Sequence, residues 1–421
     1  MHHLKSILFR YPLPRNKKTE CAIKILLFLL SPFVSFLYSL LNIKSRSSYV
    51  VFFLFCVFFG MAFSIDEDAL IDGRYYREVF EYYEGVSWSG FVDNFNSYLK
   101  FSDGEKDFYH CTVSFFVSRF TSNYHYVFMV YAFVFSFFCL KSLKFLTDED
   151  KFDASISSYI LVFLFTFNQI FNINGVRFWT AAWIAVYCIF QIFRNNKKRY
   201  FILAIIAPPF IHASYLTYVL LITFVFIMKN SFIDRYLSII FVLSFILSPF
   251  ALTFVSSNAS VLPGSMGILE SYYATEETVE TISAQGTGFW IVGVIFKYIK
   301  LVYINFLVLL FIKNSKLLLA NPMTRSLYIF LLIWMSAVNF LMPVPSVGVR
   351  FIELSYPIIA YLWLVAFKGY KYQGILYLCP FAFFMAIYRL FINYTTVTDL
   401  KFYTSSSISI VYHYLLSPFG M

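Results

Sequence analysis

Two arginines each open an apolar run: Arg177 in Asn174-Gly175-Val176-Arg177, and Arg350 in Val349-Arg350-Phe351-Ile352-Glu353. A guanidinium stays charged and presents a planar fork, which suits a phosphate or pyrophosphate. The plainer reading of each is an interfacial anchor whose charge reaches headgroups. Against that, Trp179 and the small Ala181 and Ala182 flank Arg177 and permit close helix packing. Arg350 and Glu353 are neighbours on one helix face, so a local ion pair is the simpler alternative there. Charges within an apolar helix cost roughly 2.5–3.5 kcal/mol each at its centre and less near its end. His212, in Ile211-His212-Ala213-Ser214, comes shortly after Pro208-Pro209. A neutral imidazole titrates in the range a general base needs, though a lone histidine is as readily a hydrogen-bonded core residue. Asp72-Gly73-Arg74-Tyr75-Tyr76 joins a carboxylate that could take a hydroxyl proton to tyrosine faces that suit sugars. Its plain reading is a solvated loop start.

Other chemistries are absent from the pattern. There is no Walker motif, dinucleotide fingerprint, zinc-ligand spacing or nucleophile elbow. The cysteines at 21, 56, 111, 139, 188 and 379 show neither CxxC nor a disulfide framework. An enzyme built on these residues is expected to use no metal and no cofactor.

The elements that must position these side chains are membrane helices. Hydrophobic residues make up 60% of the chain and charged ones 13%, and the mean hydropathy is +0.69. A soluble core cannot hide that much apolar surface, whereas a bilayer can. A net charge of +10 would suggest nucleic acid in a soluble protein. Here the basic residues sit in short loops between apolar runs, so membrane topology accounts for it. Spans are read at 22–42, 49–65, 124–146, 155–172, 176–193, 236–255, 289–312, 326–342, 349–367 and 374–393. The stretch 201–228 is apolar but interrupted by its prolines.

Basic loops fix the orientation. Arg194 to Arg199 form the strongest, and Lys229 with Arg235, Lys313 to Arg325, and Lys368 with Lys371 mark further cytoplasmic loops. The segment 256–288 has acidic residues and no Lys or Arg, which places it outside. The alternation closes only if 201–228 is a re-entrant hairpin that turns at its prolines. The large loop 66–123 is then also outside, with an amphipathic helix over 86–100 carrying Trp88, Val92, Phe95 and Leu99. A semi-apolar stretch from Phe108 to Phe120 packs into the bundle. Asp148-Glu149-Asp150 reads as a solvated cytoplasmic turn. The tail after 393 falls outside, with 405–416 dipping into the interface. One conflict remains at the amino end. Lys44 and Arg46 put 43–48 inside, but the basic residues from Lys5 to Lys24 argue that they too are inside. A second re-entrant hairpin, turning at Ser31-Pro32, would reconcile them. No cleavable signal peptide and no internal repeat is evident.

At these residues the chain resembles the EpsG/Wzy family of O-antigen and exopolysaccharide polymerases. Its pattern is an Asp-Tyr-rich stretch after an early span, Asn-x-x-Arg-x-x-x-Ala at a helix start, a basic loop, Phe-His-x-Ser in an apolar run, and a late arginine. Here these are Asp72 to Tyr76, Asn174 to Ala181, Arg194 to Arg199, Phe210 to Ser214 with Ile211 intervening, and Arg350. The resemblance implies an all-α, polytopic integral membrane protein of about ten transmembrane helices plus a Pro-broken hairpin, a single GT-C-like glycosyltransferase domain over 1–421. It implies location in the bacterial inner membrane with the site facing the periplasm, and joining of undecaprenyl-pyrophosphate-linked repeat units into O-antigen of lipopolysaccharide. His212, Asp72 and Glu353 are then the catalytic candidates. Arg177, Arg350, Arg74, Tyr75 and Tyr76 would bind the lipid-linked oligosaccharide, and a chain-length regulator and a flippase would be partners. A flippase for the same lipid, an O-antigen ligase and a membrane O-acyltransferase are the rival readings.

Overall fold

The computed structural model describes residues 16–64, 72–100, 107–228, 234–251, 253, 290–344, 347–369, 372–388 and 398–417. The expected outer loop 256–288 lies outside the described residues. Within them the chain is helical, and its sole extended pairing is an isolated antiparallel bridge between Phe63 and Thr398.

Five segments are long and apolar enough to cross a membrane: His125–Thr147, Ile156–Arg194, Val294–Lys313, Pro322–Phe340 and Gly348–Phe367. Ten continuous spans are therefore not what the described residues form. Hydropathy does not register a backbone break. The expected span 155–172 stops as a helix at Phe165, and the chain then turns through Thr166–Gln169 into the 3-10 turn Ile170–Gly175. The next limb, Val176–Ile189 with its π-helical end Phe190–Arg194, packs against His125–Thr147 and Tyr200–Ile211. Trp183 Nε1 donates to the Asn168 carbonyl at 3.1 Å across that bend. The expected span 374–393 is likewise broken, into Gln373–Leu376 and Cys379–Ala382.

The amino-terminal conflict is decided by a hairpin. Lys17–Leu30 ends at Ser31, whose extended backbone (φ −161, ψ 116) caps a second helix beginning at Pro32. Proline suits a first helical position because its missing N–H has no partner there anyway. The second arm folds back, so Ser35 Oγ donates to the Lys24 carbonyl at 2.8 Å and Asn42 Nδ2 to Glu20 at 3.0 Å. Lys24 is 1% exposed, pairs with Glu20, and donates to Ser45 and Ser48 at 2.8 Å. Arms of 14 and 9 residues rise only about 21 and 14 Å, short of a core of about 30 Å. Both ends of the hairpin thus share one face.

That face gathers the basic loops. Lys44 donates to the Phe152 carbonyl at 2.9 Å, and Lys368 pairs with Asp153 at 2.6 Å. Burial alone would raise the Asp153 carboxyl, but hydrogen bonds from Lys368, Ser155 and Ser158 hold it below the usual carboxylate range. Glu149 is no solvated turn residue: it accepts from Arg194 at 2.5 Å and from Tyr361 OH at 2.8 Å.

The opposite end carries the large loop. The amphipathic helix forms as Trp88–Leu99, with Phe91 buried and stacked on Phe115 at 4.2 Å while Trp88 and Leu99 stay exposed. Where a loop start was expected after the second span, Asp72–Glu84 is a helix. Its ion pairs Arg74–Glu78 and Arg77–Glu81, each 2.9 Å, have helical spacing. Tyr76, Val79, Phe80 and Tyr83 bury its other face. The Tyr109–Ser118 helix packs against it, as the semi-apolar stretch implied.

The hairpin expected over 201–228 is present, but it turns later. Tyr200–Ile211 runs helically through both prolines, and the backbone breaks at His212 (φ −153, ψ 116) before Leu216–Met228 returns. Phe201 and Phe226 stack at 4.4 Å and close its base. Proline's fixed φ is compatible with a helix, and what it removes is its own N–H. The helix therefore ends a turn after Pro208-Pro209 instead of at them.

In a cysteine-free background, an impermeant thiol reagent on intact cells should label Phe120→Cys, a site 88% exposed. Lys17→Cys and Lys197→Cys should label only after permeabilisation. Labelling of Lys17→Cys together with Phe120→Cys would mean that the first hairpin is a span.

Candidate functional site

The site is assembled where four segments meet at the end away from the basic loops. Gly73 sits close to Phe63 and Asn174: a Cβ there would meet Phe63 at 2.9 Å. Its bare backbone lets the Gly73 N–H reach Asn174 Oδ1 at 2.8 Å. This contact docks the Asp72–Glu84 helix onto the turn that precedes Arg177.

Arg177 lies in the first turn of Val176–Ile189. Its Nε donates to Tyr76 OH and its Nη1 to Asp107 Oδ2, both at 3.1 Å. The guanidinium also lies over the Tyr75 and Tyr76 rings, 5.5 and 5.1 Å from their centroids. Such contacts add roughly 0.5–2 kcal/mol, more as water is excluded. The Asp107 side chain is 9% exposed, and its other oxygen accepts from Ala213 N–H at 2.6 Å. One carboxylate therefore ties Arg177 to the tip of the 200–228 hairpin. Breaking a buried pair of this kind costs about 3–5 kcal/mol.

His212 is the residue at that tip. Its Nδ1 accepts from Ser214 N–H at 3.3 Å and lies 2.8 Å from Ser214 Oγ. An acceptor Nδ1 puts the proton of the neutral ring on Nε2. In this arrangement the imidazole offers a donor, and taking up a proton requires giving up the cap. The ring meets Phe178 edge-on at 5.3 Å. Phe178 is a hub: Phe351 packs on it at 5.4 Å, Tyr215 at 5.1 Å, and the Arg350 guanidinium lies 5.6 Å from its centroid. Arg350 is exposed and makes no ion pair with the described residues. His212 and Arg350 are thus brought to one ring from two separate segments, and Arg177, the residue before that ring, is tied to the same hairpin tip through Asp107.

Glu353 is not part of an Arg350 ion pair. After Phe351 the helix tightens into the 3-10 turn Ile352–Leu354. Glu353 pairs instead with Lys300 at 3.6 Å. Tyr75 OH lies 3.4 Å from His110 Nε2, and Tyr76 is buried under Arg177. Arg74 points to solvent with Glu78 at 2.9 Å. Asp72 opens its helix, and its side chain lies outside the described residues.

Asp107, His110 and Lys300 escaped the sequence reading. Asp107 had one signal, a carboxylate directly before the apolar run Phe108 to Phe120. Lys300 had another, a charge inside an otherwise apolar span. Among the described residues no group of three or more His, Cys, Asp or Glu side chains is placed to hold a metal ion.

A family model described as the EpsG family matches residues 49–405, most of the chain. No curated protein and no solved structure gives a significant match.

Asp107→Asn keeps an acceptor for Ala213 N–H but loses the charge that faces Arg177, whereas Asp107→Ala loses both. Thermal unfolding in detergent should rank wild type above Asn and Asn above Ala, with Ala below Asn by about 1–3 kcal/mol for the orphaned N–H. Equal stability of the two variants would leave the Ala213 contact without weight.

Proposed function

We propose that this chain, which belongs to the EpsG family, is a membrane glycosyltransferase that polymerises a surface polysaccharide from lipid-pyrophosphate-linked repeat units. The observation that carries the reading is a cluster at the end of the bundle opposite the basic loops: His212 and Arg350 share the Phe178 ring, and Asp107 ties the adjacent Arg177 to the hairpin tip that bears His212. By the positive-inside rule that end faces the periplasm of a bacterial inner membrane. The donor would be the growing glycan on undecaprenyl pyrophosphate, and the acceptor a single repeat unit on the same carrier, as in O-antigen assembly.

The two arginines have different parts. Arg350 is exposed and unpaired among the described residues, so it meets the pyrophosphate. Arg177 is held by Asp107 and Tyr76 and presents its remaining N–H groups without reorganising. Preorganised donors of this kind stabilise the charge that grows on a leaving group. The acceptor hydroxyl oxygen attacks the anomeric carbon, the bond from that carbon to the pyrophosphate oxygen breaks, and lipid pyrophosphate departs with the electron pair. His212, Asp72 and Glu353 are the groups able to take the hydroxyl proton. Tyr75, Tyr76 and Arg74 would contact the sugars. A chain-length regulator and a flippase would work beside it. A flippase is also the second reading, favoured by the two hairpins, since broken helices often line transport sites.

The test is purified protein in vesicles with lipid-linked repeat units. Wild type should give a ladder of glycans and insensitivity to a metal chelator. Arg177→Lys and Arg350→Lys keep a charge but lose the fork. Each should lower turnover by roughly 10²–10³, the usual loss for one such donor. A ladder at wild-type rate from either variant makes that arginine an anchor. Movement of lipid across the vesicle without polymer would favour the flippase.

His212 is tested separately. If it takes the proton, His212→Asn and His212→Ala should both abolish the ladder. If Asn keeps near-normal turnover and Ala does not, its place is the cap that the Ser214 contacts describe.

A further inference from the structure

The charged groups of the membrane-spanning region are not all accounted for by the Arg177 cluster. Lys300 lies well inside the span Val294–Lys313, and Glu353 lies inside the span Gly348–Phe367. They meet at 3.6 Å with side chains 17% and 12% exposed. The Lys300 ammonium also lies 5.3 Å from the Phe167 ring centroid. Ionisable side chains at such depth are costly and face the bundle interior or a watery cavity when they persist.

A cavity is there. Glu353, Asn168, Phe167, Trp179 and Trp183 line it, and it has room for about one water molecule. Asn168 is 7% exposed, and its side-chain Nδ2 has no hydrogen-bond partner. A buried amide donor left unpaired costs about 1–3 kcal/mol. The irregular turn that holds Asn168 is also the bend that leads into Arg177. Trp179, two residues after Arg177, is a wall of the cavity and packs on Phe178 at 4.8 Å. The cavity therefore adjoins the ring that His212 and Arg350 share.

Asp107 and His212, in the Arg177 cluster, are engaged. Both Asp107 oxygens accept hydrogen bonds, and His212 Nδ1 is occupied by Ser214. Glu353 has Lys300 as its one ion-pair partner among the described residues. Around Glu353 stand Lys300 from the neighbouring span, Arg350 and Tyr356 from its own segment, and Tyr215 from the hairpin tip.

We propose that Lys300, Glu353 and Asn168 form a second polar centre that receives the acceptor proton, with Lys300 as the positioning residue that keeps Glu353 a carboxylate. This rests on the polymerase reading above. As the acceptor oxygen bonds to the anomeric carbon, its proton passes to a water in the cavity, and that water gives a proton to Glu353. Asn168 Nδ2 donates to the water and holds it. The cavity is too small for a sugar, so the relay reaches Glu353 at one water's remove, which general-base catalysis tolerates.

The experiment uses full-length protein in vesicles with lipid-linked repeat units. Glu353→Gln should abolish polymer formation, and Lys300→Met should lower kcat at least tenfold with KM for the acceptor unit little changed. Lys300→Arg should restore most of kcat. Infrared spectra of the same samples supply a readout that needs no turnover. At neutral pH the protonated-carboxyl band should be stronger in Lys300→Met than in wild type, and the excess should vanish in Lys300→Met/Glu353→Gln. A Glu353→Gln protein that polymerises normally overturns the proposal, as does a Lys300→Met spectrum identical to wild type. Loss of KM and kcat together, unrescued by arginine, marks Lys300 as structural and overturns it too. If wild type itself makes no polymer while the infrared difference is present, the polymerase reading has failed and the coupling of Lys300 to Glu353 stands.

Discussion

The Asp107 carboxylate is the interaction on which the end that bears Arg177 depends. It lies in neither the helix that carries Arg177 nor the hairpin that carries His212, yet it holds both. One oxygen neutralises a guanidinium that is only 20% exposed, and the other satisfies the first N–H beyond the hairpin break. A buried cation and an open backbone turn would each be expensive alone. Placed against one carboxylate, they stabilise each other. Gly73 completes the arrangement by bringing the Asp72–Glu84 helix, and with it Tyr75 and Tyr76, onto the same guanidinium.

The bilayer imposes the second constraint. Backbone groups must be satisfied within the protein wherever helices break in hydrocarbon. Each break here shows how that is done. Ser31 caps the helix after it, Trp183 covers the Asn168 carbonyl, and Asp107 meets Ala213 N–H. At the opposite end the loops are held by charge instead, through Arg194 with Glu149, and Lys368 with Asp153. The molecule thus has one end held by ion pairs and another that is aromatic and bears Arg177 and Arg350.

The two ends differ in what their arginines do. Arg194 is spent on structure, between Glu149 and Tyr361. Arg350 has no carboxylate partner among the described residues and lies against an aromatic ring. Glu353, three residues further on, is met by Lys300 of another span instead.

What the sequence determined by itself follows from local patterns. Apolar run length sets the class, basic loops give an expected sidedness, and the ordered motifs from Asp72 to Arg350 point to the family. Each of these needs only neighbours in the chain. The Pro208-Pro209 signal announced a hairpin for the same reason, but not its turn at His212, because proline removes its own N–H and leaves the following turn intact. Hydropathy likewise found the apolar stretches 155–172 and 374–393 but could not see that they break, since a break depends on which distant group accepts the freed backbone. Asp107, Lys300 and Asn168 were invisible in their roles for that reason as well. Their partners lie far away in the chain, and only packing the helices decides which charge meets which. The choice of Lys300 over Arg350 as the partner of Glu353 is such a decision: helical spacing allowed one pair, and a tertiary contact made the other.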